Sequence, residues 1–288
     1  MTNTTTAIPR WRLITFWLLM VLLLFLHLGE RPEQLSFVAT AFGGFPEGSG
    51  ATHEIHWFAQ GVFAWVILAA VVAQVRRPAM RVGAAWVYGA GTVLTFAMVL
   101  AFADLPNEVV PIVIAATVIA TIAFIAHPSS WRAKLASVAA PSPGLFLLVA
   151  VAAVPLVVYA VGQLNIHTSS GMHDEHYEFG HWVVMAAYAL LVLVLGATAA
   201  WRVSGWRFPL WVAGLMAAAL GVGSLGITAV SQLPTAWAVL AVVWGTVFIS
   251  VGERGRRTHL SDPRAPEIPT VRQRDSDSPA GEPATGPG

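Results

Sequence analysis

The sequence predicts an all-α, polytopic membrane protein with eight transmembrane helices arranged as two parallel four-helix repeats. Three observations carry that prediction. Of the 288 residues, 56% are hydrophobic and only 11% charged, against about 25% charged in an ordinary soluble domain. Several uncharged apolar runs reach the roughly 20 residues needed to span a bilayer. The basic residues gather on alternate connections, as the positive-inside rule requires. The period-2 alternation of an outer-membrane barrel is absent. There is no cysteine, which excludes disulfides, thiolate ligands and cysteine nucleophiles.

The first apolar segment runs over residues 11–28. It is long for a signal-peptide core, and the A-x-A-like site Ala39-Thr40-Ala41 lies well beyond it, so it reads as a retained helix. A Gly-rich loop leads to a second helix, which starts between His53 and Trp57, ends at residue 75 and stops at Arg76-Arg77-Pro78. The third covers residues 82–103 and is closed by the turn signal Asp104-Leu105-Pro106-Asn107-Glu108. The fourth covers 109–126 and ends before His127-Pro128, where the histidine reads as a helix terminator. After a polar connection come helices over 144–164, with Pro155 inside, and over 182–201, 209–230 and 235–251. The expected partition is 1–135 for the first four-helix half, 136–257 for the second and 258–288 for a disordered cytoplasmic tail rich in Pro, Ser, Asp and Gly.

With eight crossings the charges separate by side. Arg10, Arg12, Arg76, Arg77, Arg81, Arg132, Lys134, Arg202, Arg207, Arg254, Arg256 and Arg257 fall together, and outside the tail the other side has only Arg31. The expected placement is the plasma (cytoplasmic) membrane with both termini cytoplasmic.

The two halves echo each other at an offset of 125 residues. His56-Trp57 matches His181-Trp182, Ala64 matches Ala189, Leu68 matches Leu193, and Arg77 matches Arg202. Trp86 and Gly89 match Trp211 and Gly214, and a Leu-Pro turn follows in both halves. An even number of helices per half makes the repeats parallel, related by an axis along the membrane normal. His56 and His181 then occupy equivalent positions about that axis.

Those two histidines lie in the stretches where ligand-type side chains concentrate. One is Thr52-His53-Glu54-Ile55-His56-Trp57; the other runs from His167 to Trp182 and contains His173, Asp174, Glu175, His176, Glu178 and His181. If the helices extend outward, His53 and His56 share a face, as do His173 and His176. Asp174, Glu178 and His181 form a further i, i+4, i+7 stripe. Imidazole with carboxylate suits zinc, iron, manganese or copper. The candidate metal ligands are therefore His53, Glu54, His56, His173, His176, Glu178 and His181, with His56 and His181 the candidate cofactor ligands. The competing reading is an interfacial anchor, since Trp is enriched at membrane surfaces. His167 alone reads as a solvated loop residue and His259 as an inert tail residue. No catalytic residue is assigned.

Eight helices in two parallel halves, cytoplasmic termini, and an acid with a histidine at the outer entries of the second and sixth helices resemble the heme A synthases. The residues that carry the resemblance are His56 with Glu54 and His181 with Glu178. It implies a heme held by histidines near the outer helix ends and an outer acid that takes part in the chemistry. The chain departs from the family pattern: Trp57 and Trp182 stand where the family has Arg, and the fourth and eighth helices open without histidine. A reduced form would share one heme, or one metal, between His56 and His181.

Function is accordingly expected to be that of an integral membrane protein with an extracytoplasmic His/carboxylate site for a transition metal (zinc, iron or copper) or heme, of redox or heme-related type. The bilayer is the expected partner and a lipid-like or quinone-like molecule the expected substrate. The alternatives are a metal- or proton-linked transporter and a structural or assembly subunit. A transporter should line a polar path, and few polar residues punctuate the helices. No P-loop, nucleophile elbow or basic nucleic-acid patch is present.

Overall fold

A run of uncharged apolar residues in lipid must satisfy every backbone polar group internally, and the α-helix does so within one segment. The computed structural model, described for residues 9–28, 39–44, 51–75, 77–169, 177 and 180–260, is built on that rule. Its helices are α1 (Arg10–Leu28), α2 (Ala51–Gln74), α3 (Val82–Phe102), α4 (Val110–Ala126), the short α5 (Trp131–Leu135), α6 (Pro143–Ser169), α7 (His181–Trp201), α8 (Arg207–Gly226) and α9 (Thr235–Leu260). No strand occurs among the described residues. Six of these helices (α2, α3, α6, α7, α8 and α9) are long and apolar enough to cross a membrane, and the 17-residue α4 is apolar but shorter. The protein is a helical membrane protein.

Several boundaries differ from the expected ones, and one short helix is added. Helix α6 runs five residues past 164, to Ser169, because His167 finds a partner on another helix. Helix α8 stops at Gly226 rather than 230, with Ile227 already extended at φ −123° and ψ 114°. Helix α9 continues to Leu260 through Glu253 and Arg254. Its backbone bonds do not need the apolar run that ends at residue 251, and the expected tail therefore begins inside a helix. The connection after α4 holds α5, whose N-cap Ser130 accepts a hydrogen bond from Ala133 N at 3.1 Å.

The chain divides into two compact units, residues 1–253 and 254–288. Helices from both expected halves, 1–135 and 136–257, contribute to the core of the first unit. Helix α7 lies at the centre, packed on α6, α8, α3 and α2, and Leu191, Val192 and Leu195 are fully buried on it. Helices α6 and α9 leave Val154, Leu240 and Val243 exposed, the apolar surface that lipid covers. Helices α8 and α9 meet through glycine: a Cβ on Gly245 would lie 2.2 Å from the Gly214 carbonyl oxygen. Only hydrogen at both positions permits that approach.

Two sites that the 125-residue offset pairs have matching local geometry. Arg77 (φ 58°, ψ 58°) and Arg202 (φ 57°, ψ 50°) are both left-handed, and no other non-glycine residue among those described has positive φ. Gly89 abuts Phe124 of α4, and Gly214 abuts Ile249 of α9; those contacts are themselves 125 residues apart.

The inter-helix connections sort into two ends. Gly83 N donates to Ser204 O at 2.7 Å, Val138 N to Arg202 O at 2.9 Å and Arg12 Nη2 to His127 O at 3.0 Å. These contacts draw Arg12, Arg81, Lys134 and Arg202 to one end, the basic end. The other end carries His53, His56, His167 and His181.

Candidate functional site

At the histidine end, α2 begins at Ala51, so His53 and His56 stand on its first two turns and share a face. Trp57 O accepts a bond from Thr40 Oγ1 at 2.6 Å, which ties the preceding turn onto the helix. His56 points inward and is 1% exposed. Its Nε2 lies 2.7 Å from Ser231 Oγ. Ser231 is fully buried in the α8–α9 connection, and its carbonyl accepts the Tyr159 hydroxyl of α6 at 2.6 Å. Ser224 Oγ accepts Leu233 N at 3.0 Å and holds the same connection from the α8 side. A polar group buried among lipid-facing helices is costly unless bonded, and this connection meets that demand with three helices at once.

His181 is the first residue of α7. Its ring centroid lies 5.3 Å from that of His56 and 5.9 Å from that of His53. Trp182 is buried with its ring 6.2 Å from His56. The fold therefore brings together His53, His56 and His181 of the predicted set, from helices 125 residues apart in sequence. Glu54 is half-buried on the first turn of α2. His173, His176 and Glu178 lie outside the described residues, as do Asp174 and Glu175. Helix α7 starts at His181, with Gly180 as its N-cap in the left-handed conformation at φ 60°. A Cβ there would also meet Ala103 at 2.6 Å.

His167 is a correction. It was expected as a solvated loop residue, yet it is 1% exposed on α6. Its Nε2 donates to Phe102 O at 2.7 Å, and its ring stacks on Tyr177 at 4.5 Å. It joins the end of α3 to α6 as a structural residue.

The geometry discriminates among ligands. Two imidazoles on opposite faces of a heme iron, with metal–nitrogen bonds near 2 Å, place their ring centroids about 6.5 Å apart. His56 and His181 lie closer than that, at 5.3 Å and 61° between ring planes. The same two rings on one tetrahedral ion would lie about 5–5.5 Å apart. Among the described residues, no group of three or more His, Asp or Glu is arranged to hold a metal ion.

A second polar cluster sits at the basic end, and the sequence reading reduced it to a helix terminator. His127 is fully buried. Ser129 N donates to His127 Nδ1 at 3.2 Å, with Ser129 Oγ 2.7 Å from the same nitrogen. His127 Nε2 is 3.2 Å from Gln74 Oε1, while Gln74 Nε2 donates to Arg81 O. Nδ1 is therefore the acceptor and Nε2 carries the proton. Burial first, then the nearby Lys134 and Arg12 cations, push His127 down to about 3. Arg12 donates to His127 O, and Lys134 Nζ donates to Phe124 O and Ile125 O. Two cations thus close the carbonyl end of α4 and meet its dipole. Burial, then Arg12, lowers Lys134 to about 8.

Sequence reasoning also missed Ser231 and Tyr159. Their signal was faint: a tyrosine inside an otherwise apolar helix, whose hydroxyl needs a partner when buried, and a serine just before a Leu-Pro turn.

No family model matches the chain, and neither curated proteins nor solved structures give a match.

Proposed function

We propose that this protein is a metal-dependent membrane protein of the cytoplasmic membrane whose extracytoplasmic histidine end takes up one transition-metal ion, zinc, iron or copper. The observation that carries the reading is the convergence of His56 and His181, with His53 beside them, at the centroid spacing of two imidazoles on one ion. His56 Nε2 faces Ser231 Oγ at 2.7 Å, the orienting bond that a ligating histidine makes through its second nitrogen. Nδ1 of His56 is then the ligating atom. His53, after a change of rotamer, is the third ligand, with Glu54 or a residue of the His173–Glu178 segment completing the set. A neutral imidazole ligates, and the ion supplies Lewis-acid or redox chemistry when bound.

The basic end is the cytoplasmic one by the positive-inside rule, with both termini on that side. The chain is further proposed to cross the bilayer eight times as two parallel repeats. Support comes from the paired left-handed Arg77 and Arg202 and from the Gly89–Phe124 and Gly214–Ile249 contacts. Each half contributes one histidine to the pair.

The test is metal analysis and a melting series on the purified full chain with zinc, copper and ferrous iron. One ion per chain and a dose-dependent rise in melting temperature are expected in the wild type. Both effects should vanish in His56→Ala/His181→Ala and persist in His259→Ala. No uptake by the wild type, or equal uptake by the double variant, overturns the assignment.

A further inference from the structure

Two turns that the 125-residue offset pairs pack on each other at the basic end. Gly83 N donates to Ser204 O at 2.7 Å and Ser204 Oγ to Met80 O at 3.2 Å, and a Cβ on Gly83 would run into the Gly205 carbonyl. The junction gathers Arg77 and Arg81 from the first turn with Arg202 and Arg207 from the second. Among the described residues the acid at this end is Glu253, and it is already engaged: it accepts Arg207 Nε at 2.8 Å and Trp211 Nε1 at 2.9 Å. Glu54, Asp104 and Glu108 belong to the histidine end.

Within that cluster Arg202 is the anomaly. It is 6% exposed, and its buried Nε has no hydrogen-bond partner. Its guanidinium carbon lies 5.3 Å from the centroid of the Trp206 ring, a cation–π contact that positions the group without satisfying its N–H donors. Burying a cation without hydrogen bonds or counter-charge is costly. Helix capping does not account for it. Arg12 and Lys134 close the carbonyl end of α4 by donating to Ala126 O, His127 O, Phe124 O and Ile125 O. Arg202 is the C-cap of α7, yet no such bond leaves its Nε. Nor does the turn require burial, since Arg77 in the same left-handed conformation is exposed.

A guanidinium fork matches the oxygens of phosphate and carboxylate. Arg77, Arg81 and the N-terminus of the 20-residue α8, whose N-cap is Trp206, make the surrounding field positive. Beside the junction the surface is apolar: Met80 is 63% and Trp201 47% exposed, and such side chains at a membrane boundary meet lipid. A free anion uses only the first of these features, whereas an anionic amphiphile uses both.

We infer that Arg202 and the turn junction bind the phosphate of an anionic phospholipid from the leaflet at the basic end. The phosphate oxygens accept from the Arg202 guanidinium, Arg77 and Arg81 attract the charge, and the acyl chains lie over Met80 and Trp201. This site is at the opposite end from His56 and His181 and stands independently of the proposed metal.

The experiment uses the full chain, delipidated in a neutral detergent and titrated with dioleoyl phosphatidylglycerol, with zwitterionic dioleoyl phosphatidylcholine and with inorganic phosphate. A saturable change in tryptophan fluorescence and a rise in melting temperature are expected with phosphatidylglycerol and not with phosphatidylcholine. Arg202→Gln should weaken phosphatidylglycerol binding about tenfold or more, the loss of a charged hydrogen-bond donor. Arg132→Gln, exposed on α5, should leave it unchanged. Without lipid, Arg202→Gln should melt no lower than the wild type, because it removes a buried charge that lacks a partner. A lower lipid-free melting temperature in Arg202→Gln makes Arg202 a residue of the fold and overturns the assignment. Equal responses to the two lipids, or unchanged phosphatidylglycerol binding by Arg202→Gln, overturn it as well. Inorganic phosphate binding as tightly as phosphatidylglycerol, with the same dependence on Arg202, overturns the lipid and gives the site to a soluble phosphate compound.

Discussion

Acidification should destabilise this protein through His127, and the size of the effect follows from its surroundings. The folded-state value is lowered from 6.5 to about 3. The unfolded chain therefore takes up a proton as pH falls through 6.5, whereas the folded chain does not until about 3. The unfolded state binds more protons throughout that window, so stability is present above 6.5 and is lost as pH falls. At about 1.4 kcal/mol per unit, the loss from pH 6.5 to 5 is about 2 kcal/mol. The full window to pH 3 sets an upper limit of about 5 kcal/mol by the same arithmetic. The cause is local. Protonating Nδ1 would set an N–H against the Ser129 N–H that now donates to it, beside Arg12 and Lys134. The assay is thermal unfolding of purified protein at pH 6.5 and pH 5, above the range where ordinary carboxylates titrate. His127→Gln keeps a polar side chain and removes the titration. Other histidines act in both proteins, so the difference between the two curves isolates His127. The wild type should lose about 2 kcal/mol more than the variant between the two pH values. Parallel curves would refute the argument that His127 is held neutral by its site.

Three further outcomes are expected. Gly245→Ala should lower stability by about 1–3 kcal/mol through overpacking, read by denaturation in detergent, because its Cβ would meet the Gly214 carbonyl at 2.2 Å; an unchanged melting temperature would contradict the α8–α9 approach. Ser231→Ala should cost about 1–3 kcal/mol by leaving His56 Nε2 without the Ser231 hydroxyl in a buried site, and Ser231→Thr, if it retains the hydroxyl contact, should recover most of it in the same melting assay. Metal affinity at the histidine end should fall as external pH drops below about 6.5, the ordinary histidine value; a titration by calorimetry that gives one affinity at pH 7.5 and 5.5 would exclude neutral imidazole ligands.

The parts of this molecule that were legible in the sequence are those set by one segment at a time. An uncharged run such as 182–201 must become a helix in lipid whatever its neighbours do, and α7 covers His181–Trp201. The shared face of His53 and His56 follows from helical period once α2 is known to begin before them. What was not legible depends on partners distant in sequence. His167 follows Asn165 and precedes Thr168 and Ser169, a polar stretch that reads as a loop. It is helical because Phe102, 65 residues away, offers a carbonyl at 2.7 Å. Ser231 has no motif around it; only the meeting of α2, α6 and the α8–α9 connection makes it a hydrogen-bond centre.

Arg77 and Arg202 show the same division from the other side. In sequence they are two basic residues at the ends of apolar runs, a feature that the positive-inside rule explains without any repeat. Charge alone would be served by arginine in any backbone conformation near that boundary. Their shared left-handed geometry at φ 58° and 57° is not required by charge, and for a non-glycine residue it is uncommon. A lysine or arginine can be placed by the membrane, but a left-handed arginine is placed by the turn that surrounds it. The coincidence of that turn at an offset of 125 residues, with Gly89–Phe124 and Gly214–Ile249 at the same offset, is therefore stronger support for a duplicated four-helix unit than any matched residue identity. On the proposed repeat, a helix entry copied with its His-Trp and folded back beside the original would bring two imidazoles together without either half having had a site of its own.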